Sequence, residues 1–365
     1  MGIRYDRDSQ KRNEGPTIYF TDTNSLIMLS NALRSALDSN TPFYAYRRPG
    51  EMMITFGTSE IAVEGLHPGG FVIAPFLPSL PYLTIPYRRN VNDFSEQSFK
   101  IPFPESSTSS EDHHKEVETI QEALKENGGG KIIAGRIIIE GGKVNVAATF
   151  LQLLSSHPAA FVFCFFTPQT GCWLGASPEL LLESKRGLLS TMALAGSRPS
   201  GFVGPWDEKN IEEQRMVADF ISETLTSNDI IVEEGETVTR RAGKVEHICT
   251  PFFGEPRKPL NEKNLSILLH TLSPTPALCG LPRDLALKVI AECEKGGRGC
   301  YGGFCGPFNT PESFTFYAIL RCARISNTDY CLYAGGGITL RSDAQKEWEE
   351  TELKALTVRD AIVMK

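Results

Sequence analysis

The sequence predicts an α+β fold, and two observations carry that prediction. Apolar runs of strand length arrive in groups and hairpins, without the one-for-one alternation with helices that a doubly wound parallel sheet requires. The last two runs, 314–325 and 330–334, are joined by Ser326-Asn-Thr-Asp, a short polar link of hairpin type. With 365 residues, 41% apolar and 22% charged, the composition is that of a soluble globular chain. A net charge of −7 argues against a nucleic-acid partner. No apolar run is long enough to span a membrane, and the strongest, 159–166, suits a buried strand. The charged N-terminus lacks the apolar segment of a signal peptide. Nine cysteines without a CxxC pair fit reduced thiols, and no histidine completes a zinc set around Cys293, Cys300 and Cys305. A cytoplasmic protein is expected.

In order, 26–37 reads as a helix, 43–47 and 52–56 as strands, and 68–90 as a proline-rich irregular stretch. Ser-rich 104–112 reads as a flexible connection and the best internal boundary. Helix 113–126 ends at three glycines, and an apolar strand then begins at Lys131. A helix at 150–155 precedes strands at 160–166, from Trp173, after Pro178, and at 188–195. Helix 210–225 is followed by two strands within 230–253, and helices 265–269 and 283–294 flank Pro-rich 274–282. Gly302-Gly-Phe-Cys-Gly306 lacks the spacing of a dinucleotide fingerprint and reads as a turn where backbones pack closely.

The residues with chemical potential are scattered. Near the end, strand 330–334 runs into Gly335, Gly336 and Gly337 and then a helix opening at Ser342 or Asp343, both good N-caps. Bare glycine backbone can approach a ligand and its amides can bind a carboxylate, while Glu347, Glu350 and Lys354 share one helix face. A Gly-rich turn before a solvated helix would read the same way. Glu213 lies on the apolar stripe of Val217, Phe220, Ile221 and Leu225, a costly place unless it is paired, bound to a cation, or still wet in the first turn. Lys131 is either a strand flank or a general base with a lowered pKa. Glu179 is either a strand end or a carboxyl kept protonated as a general acid. Leu194-Ala-Gly196-Ser197 offers backbone donors, His247 sits in an apolar run, and Arg321, inside 316–325, asks for an anion. Together, Glu213 and Glu350 could supply oxygen to a hard cation, and Arg321, Lys354 and glycine amides could hold carboxylates.

The order of these motifs resembles the chorismate-utilising enzymes: anthranilate synthase component I and aminodeoxychorismate, salicylate and isochorismate synthases. The resemblance lies in Gly175-Ala-Ser-Pro-Glu-Leu-Leu-Leu, Leu194-Ala-Gly-Ser-Arg-Pro, Glu212-Glu-Gln-Arg-Met-Val, Val245-Glu-His-Ile and Ser273-Pro-Thr-Pro-Ala-Leu-Cys-Gly. It continues through Arg298-Gly-Cys-Tyr-Gly-Gly-Phe-Cys-Gly, Leu320-Arg-Cys-Ala-Arg and the stretch from Tyr333 to Lys354. It implies a single domain over 1–365, α+β, with two facing antiparallel sheets and outer helices. Residues 1–110 form a divergent N-terminal portion, 113–365 carry the motifs, and 104–112 becomes a surface loop.

Three positions are similar to isochorismate synthase. Ala195 replaces a nucleophilic lysine of aminodeoxychorismate synthases, Pro276-Ala277-Leu278 replaces the Gly-Thr/Ser-Val of anthranilate synthases, and Lys131 matches a water-activating lysine. The resemblance therefore implies Mg²⁺ on Glu213 and Glu350, Lys131 as base, Glu179 as acid, and His247 as a ring-side hydrogen-bonding or general-acid partner. It implies Arg321, Gly196, Ser197 and Tyr301 at the enolpyruvyl carboxylate, and Lys354 with Gly335, Gly336 and Gly337 at the ring carboxylate. Glu347 then stands behind the ligands. The substrate is chorismate and the product isochorismate for menaquinone or siderophore synthesis, with salicylate synthase and anthranilate synthase component I as alternatives. No glutamine amidotransferase subunit is expected, and the chain would be a monomer or homodimer. Ser273, Glu246 and Ser200 depart from the family pattern.

Overall fold

The computed structural model describes residues 22–87, 99–294 and 296–365. The N-terminal residues behind the signal-peptide reading, and the end of 68–90, lie outside them. The chain opens with α1 (Thr23–Asp38), β1 (Phe43–Arg47), β2 (Thr55–Thr58), β3 (Val63–Glu64), β4 (Gly70–Ala74) and β5 (Leu83–Pro86). It continues with α2 (Ser110–Glu126), β6 (Lys131–Gly141), α3 (Val146–Ser156), β7 (Phe161–Thr167), β8 (Gly171–Ser177), β9 (Leu180–Lys185) and β10 (Leu188–Pro199). Then come α4 (Glu208–Ser227), β11 (Ile230–Glu234), β12 (Val238–Ala242), β13 (Val245–Pro256), α5 (Glu262–Leu272), β14 (Gly280–Leu281) and α6 (Arg283–Cys293). The last elements are β15 (Phe304–Thr310), β16 (Ser313–Ala318), β17 (Cys322–Ile325), β18 (Asp329–Ile338) and α7 (Ala344–Arg359).

The strands form two antiparallel sheets, one ordered β14-β6-β18-β17-β8-β7-β1-β2 and the other β11-β13-β10-β9-β16-β15-β4-β5-β3, with β12 on β13. Their inner faces share an aromatic core in which Tyr44, Phe161, Phe163 and Trp173 of the first sheet meet Phe71, Ile73, Leu83 and Tyr317 of the second. Tyr44 stacks on Phe71 with ring centroids 5.0 Å apart, and Phe161 on Tyr317 at 4.2 Å. Helices cover the outer faces: α1, α3 and α7 pack on the first sheet, and α4 and α5 on the second. The α+β architecture of two facing sheets with outer helices is thus observed.

Several local expectations change. Prolines in 68–90 lie outside β4 and β5 or, as Pro86, at the last residue of β5, so the stretch holds two core strands. The region 230–253 carries three strands, because Val238–Ala242 forms its own rung on β13. The Ser-rich segment is tied to β6: the Ile139 amide donates to Ser107 Oγ, and the Thr108 amide to the Ile137 carbonyl. Ser109 then caps α2 by accepting from the Asp112 amide.

Two differences shape the site. The apolar run 314–325 is two strands in different sheets, broken at 319–321, where Arg321 adopts φ +47°. Gly335–Gly337 are part of β18, paired with Gly135, Ala134 and Ile133 of β6. In the Gly302–Gly306 stretch backbones do pack closely: a Cβ on Gly303 would sit 2.0 Å from the Ala74 carbonyl oxygen.

Candidate active site

The chain passes between the sheets twice at one place. From β8 to β9 it crosses at Pro178-Glu179, and from β16 to β17 at Ile319–Arg321. The two crossings are bonded to each other's strands: the Ala318 amide donates to the Glu179 carbonyl at 3.1 Å, and the Ala176 amide to the Arg321 carbonyl at 3.0 Å. A narrow cavity of about 70 Å³ opens beside them. It is lined by Lys131, Glu179, Gly196, Ser197, Glu213, His247, Ala277, Leu278, Tyr301, Arg321, Gly335, Gly337, Glu350 and Lys354. The residues singled out in the sequence, Gly336 and Glu347 excepted, converge there from both sheets and two helices.

On the crossing side, Glu179 is 3% exposed. Burial pushes its carboxyl up to about 8, against the opposing effects of the nearby Lys131 ammonium and Thr275 hydroxyl, so it carries a proton at neutral pH. Arg321 is buried and, among the described residues, has no carboxylate in contact; it donates to Thr357 Oγ1 at 3.2 Å and to His247 Nε2 at 3.2 Å. Burial lowers it to about 10, eased by Tyr301 and Glu350, which leaves a charged guanidinium in need of an anion.

His247 differs from expectation. Its Nδ1 lies 2.7 Å from the Gly196 carbonyl, which fixes the proton on Nδ1, and Nε2 accepts from Arg321. Burial, together with the Arg321 charge, holds the ring down to about 3. In this arrangement the ring is neutral with both nitrogens engaged, and its Nε2 is held against the Arg321 guanidinium. Ser197 is corrected in the same way. Its amide donates to Asn210 Oδ1 at 2.9 Å and is not free for a carboxylate, although its hydroxyl lies 3.2 Å from His247 Nδ1.

The opposite side is carried by two helix N-terminal halves. α4, capped by Asp207, presents Lys209 and Glu213 one turn apart, and α7, capped by Asp343, presents Glu347, Glu350 and Lys354. Each carboxylate meets an ammonium: Glu213 with Lys131 at 2.7 Å, Glu350 with Lys354 at 2.5 Å, and Glu347 with Lys209 at 2.5 Å. Burial would raise Glu350, but the Lys354 and Lys209 ammoniums hold it below the usual carboxylate value. Lys354 also donates to the Gly335 carbonyl at 2.7 Å.

The alternation of β18 sorts its glycines. Gly335 and Gly337 face the cavity, where a Cβ on Gly337 would lie 1.8 Å from Glu213 Oε1 and 2.6 Å from Lys131 Cε. Gly336 faces the other way, where a Cβ would lie 2.9 Å from Glu347 Oε2, so it is not a wall of the cavity.

Sequence reasoning missed Lys209 and Asn210 and set Glu347 aside. Lys209 was findable as the residue four before Glu213 on one helix face. Asn210 carries no such signal, because its role depends on β10 folding against the start of α4.

The acidic side suits a hard divalent cation by its donors, which are carboxylate oxygens only. Among the described residues no three His, Cys, Asp or Glu side chains form a ready cage, since each acid is turned to its lysine. Among the described residues, Glu347 Oε2 is nonetheless a buried oxygen with no hydrogen-bond partner.

Residues 87–363 match the family model described as chorismate binding enzyme. Isochorismate synthase MenF of Bacillus subtilis is 29% identical over 278 residues, covering 72% of this chain and 58% of that protein. Isochorismate synthase EntC of Escherichia coli K12 is 30% identical over 242 residues, covering 62% of this chain and 61% of its own length. The chain thus spans about three fifths of the curated relatives it matches. The solved menaquinone-specific isochorismate synthase MenF of Escherichia coli superposes with a TM-score of 0.76 at 22% identity, covering 94% of this chain and 93% of that one. The structure described as the putative 2,3-dihydroxybenzoate-specific isochorismate synthase DhbC of Bacillus anthracis gives 0.74 at 22%, covering 91% and 99%. These two structures share the fold described above.

Proposed function

The chain belongs to the chorismate-binding enzymes, and we propose that within this family it is an isochorismate synthase. It would convert chorismate to isochorismate by adding water at C2 and releasing the C4 hydroxyl, for quinone or siderophore supply. The observation that carries the proposal is the placement of Lys131 and a protonated Glu179 on one small cavity that also holds an unpaired buried arginine.

In the resting arrangement Lys131 Nζ donates to Glu213 and cannot accept a proton. Once that carboxylate turns to another partner and the ammonium releases one proton to solvent, the neutral Nζ can take a proton from water as the oxygen bonds to C2. The ring double bonds shift, the C4–O bond breaks, and Glu179 supplies the proton that makes the departing hydroxyl water. Arg321, held by His247 and Thr357, receives the enolpyruvyl carboxylate. Lys354 and the Gly335–Gly337 edge face the ring carboxylate. Magnesium, which Glu213 and Glu350 would hold, supplies positive charge beside that carboxylate. Water as nucleophile needs no ammonia source, so no glutamine amidotransferase subunit is required.

Incubation of the pure protein with chorismate and Mg²⁺, followed by chromatography, tests this. Isochorismate as the sole product is expected. Salicylate with pyruvate, or anthranilate when ammonium is present, would overturn the assignment.

A further inference from the structure

We propose that Lys209 is the resident counter-cation of the acidic cluster, its ammonium standing in for a divalent ion and leaving Glu347 when one binds. The inference rests on reading that cluster as the magnesium site. Three carboxylates and three ammoniums pair off here, so the cluster is balanced in charge. Lys131 and Lys354 line the cavity and have a substrate to meet; Lys209 does not line it.

What Lys209 does contact is acid. Its Nζ donates to Glu347 Oε1 at 2.5 Å. Burial pulls its charge down, yet the fields of Glu347, Glu213 and Glu350 outweigh that and raise it. The ammonium thus feels all three acids at once, while Glu347 keeps a second oxygen without a partner. A dication drawn to Glu213 and Glu350 would meet this ammonium as a like charge. The lysine side chain is 25% exposed, whereas Glu347 is 3% exposed, so the lysine has a path to solvent and the carboxylate stays.

Calorimetric titration of Mg²⁺ into the protein, with substrate absent, measures the competition. Lys209→Met should bind Mg²⁺ at least about tenfold more tightly than the native protein, because a unit charge a few ångströms away is worth more than one decade in a partly screened site. Lys209→Arg should stay near native. A merely structural lysine predicts the opposite sign, since its loss would loosen the cluster. Equal or weaker binding by Lys209→Met overturns the proposal. Should that variant fail to fold, acylation of Lys209 in the native protein, followed by mass spectrometry, replaces it. Its reactivity should rise when Mg²⁺ is added, and unchanged reactivity overturns the proposal. The magnesium reading fails by a separate result: native chorismate turnover that is indifferent to a chelator.

Discussion

The two sides of the cavity are built on opposite terms. On the crossing side, Glu179, His247 and Arg321 are fixed by backbone that two sheets hold in place, and their protonation states are set by burial. On the helical side, Glu213, Glu347 and Glu350 are all paired with lysines. On the proposed reading, one side is finished before any ligand arrives, and the other is balanced so that a cation and a dianion would rearrange it. Burial without a counter-ion produces a fixed proton, whereas burial with one produces a replaceable contact.

The largest expected effect tests whether both sides serve one reaction. Lys131→Ala and Glu179→Gln should each lower kcat at least about a hundredfold, the usual scale of lost acid–base assistance. A near-native rate from either variant would remove that residue from its role and leave one side without chemistry.

A smaller effect separates the two faces of β18. Gly337→Ala forces a methyl into the Lys131–Glu213 pair and should cost about 1–3 kcal/mol in denaturant unfolding, with a matching loss of activity. Gly336→Ala meets only the end of Glu347 and should cost less. Equal costs would mean that the strand does not present these faces differently.

The smallest effect is in pH dependence, where the crossing side carries two opposed slopes. Native Glu179 keeps its proton to about pH 8 and unfolded Glu179 loses it near 4.5, so its contribution to stability falls as pH rises between those values. Native His247 protonates near pH 3 and unfolded histidine near 6.5, so its contribution falls as pH drops between those values. From 4.5 to 6.5 the two cancel. Tm measured across pH should show Glu179→Gln relieving the decline between 6.5 and 8, and His247→Gln relieving it between 4.5 and 3. Variant curves parallel to the native one would contradict the assigned protonation states.

Much of this was legible in the sequence. The strand from Lys131, the helix carrying Glu213 and the Asp343-capped helix follow from periodicity and capping, which are local. What was not legible depends on tertiary pairing. Residues 314–325 are mostly apolar with no glycine or proline to mark a break, and only the presence of two sheets turns Arg321 from a strand residue into a crossing residue. The glycines of β18 have no side chains to show alternation, so their strand character comes from 133–135, far away in the chain. The motif resemblance brought the cavity residues together; it did not anticipate the amide of Ser197 being taken, the neutral His247, or Lys209.

The reciprocal bonds between the crossings, Ala318 to Glu179 and Ala176 to Arg321, bear on how the molecule is made. They join segments well over a hundred residues apart, so they close late in folding, after local hairpins and helices have formed. On the proposed reading, the proton donor Glu179 and the anion receptor Arg321 are thus assembled by the same long-range contacts, and a chain in which the two crossings have not met has neither held in place.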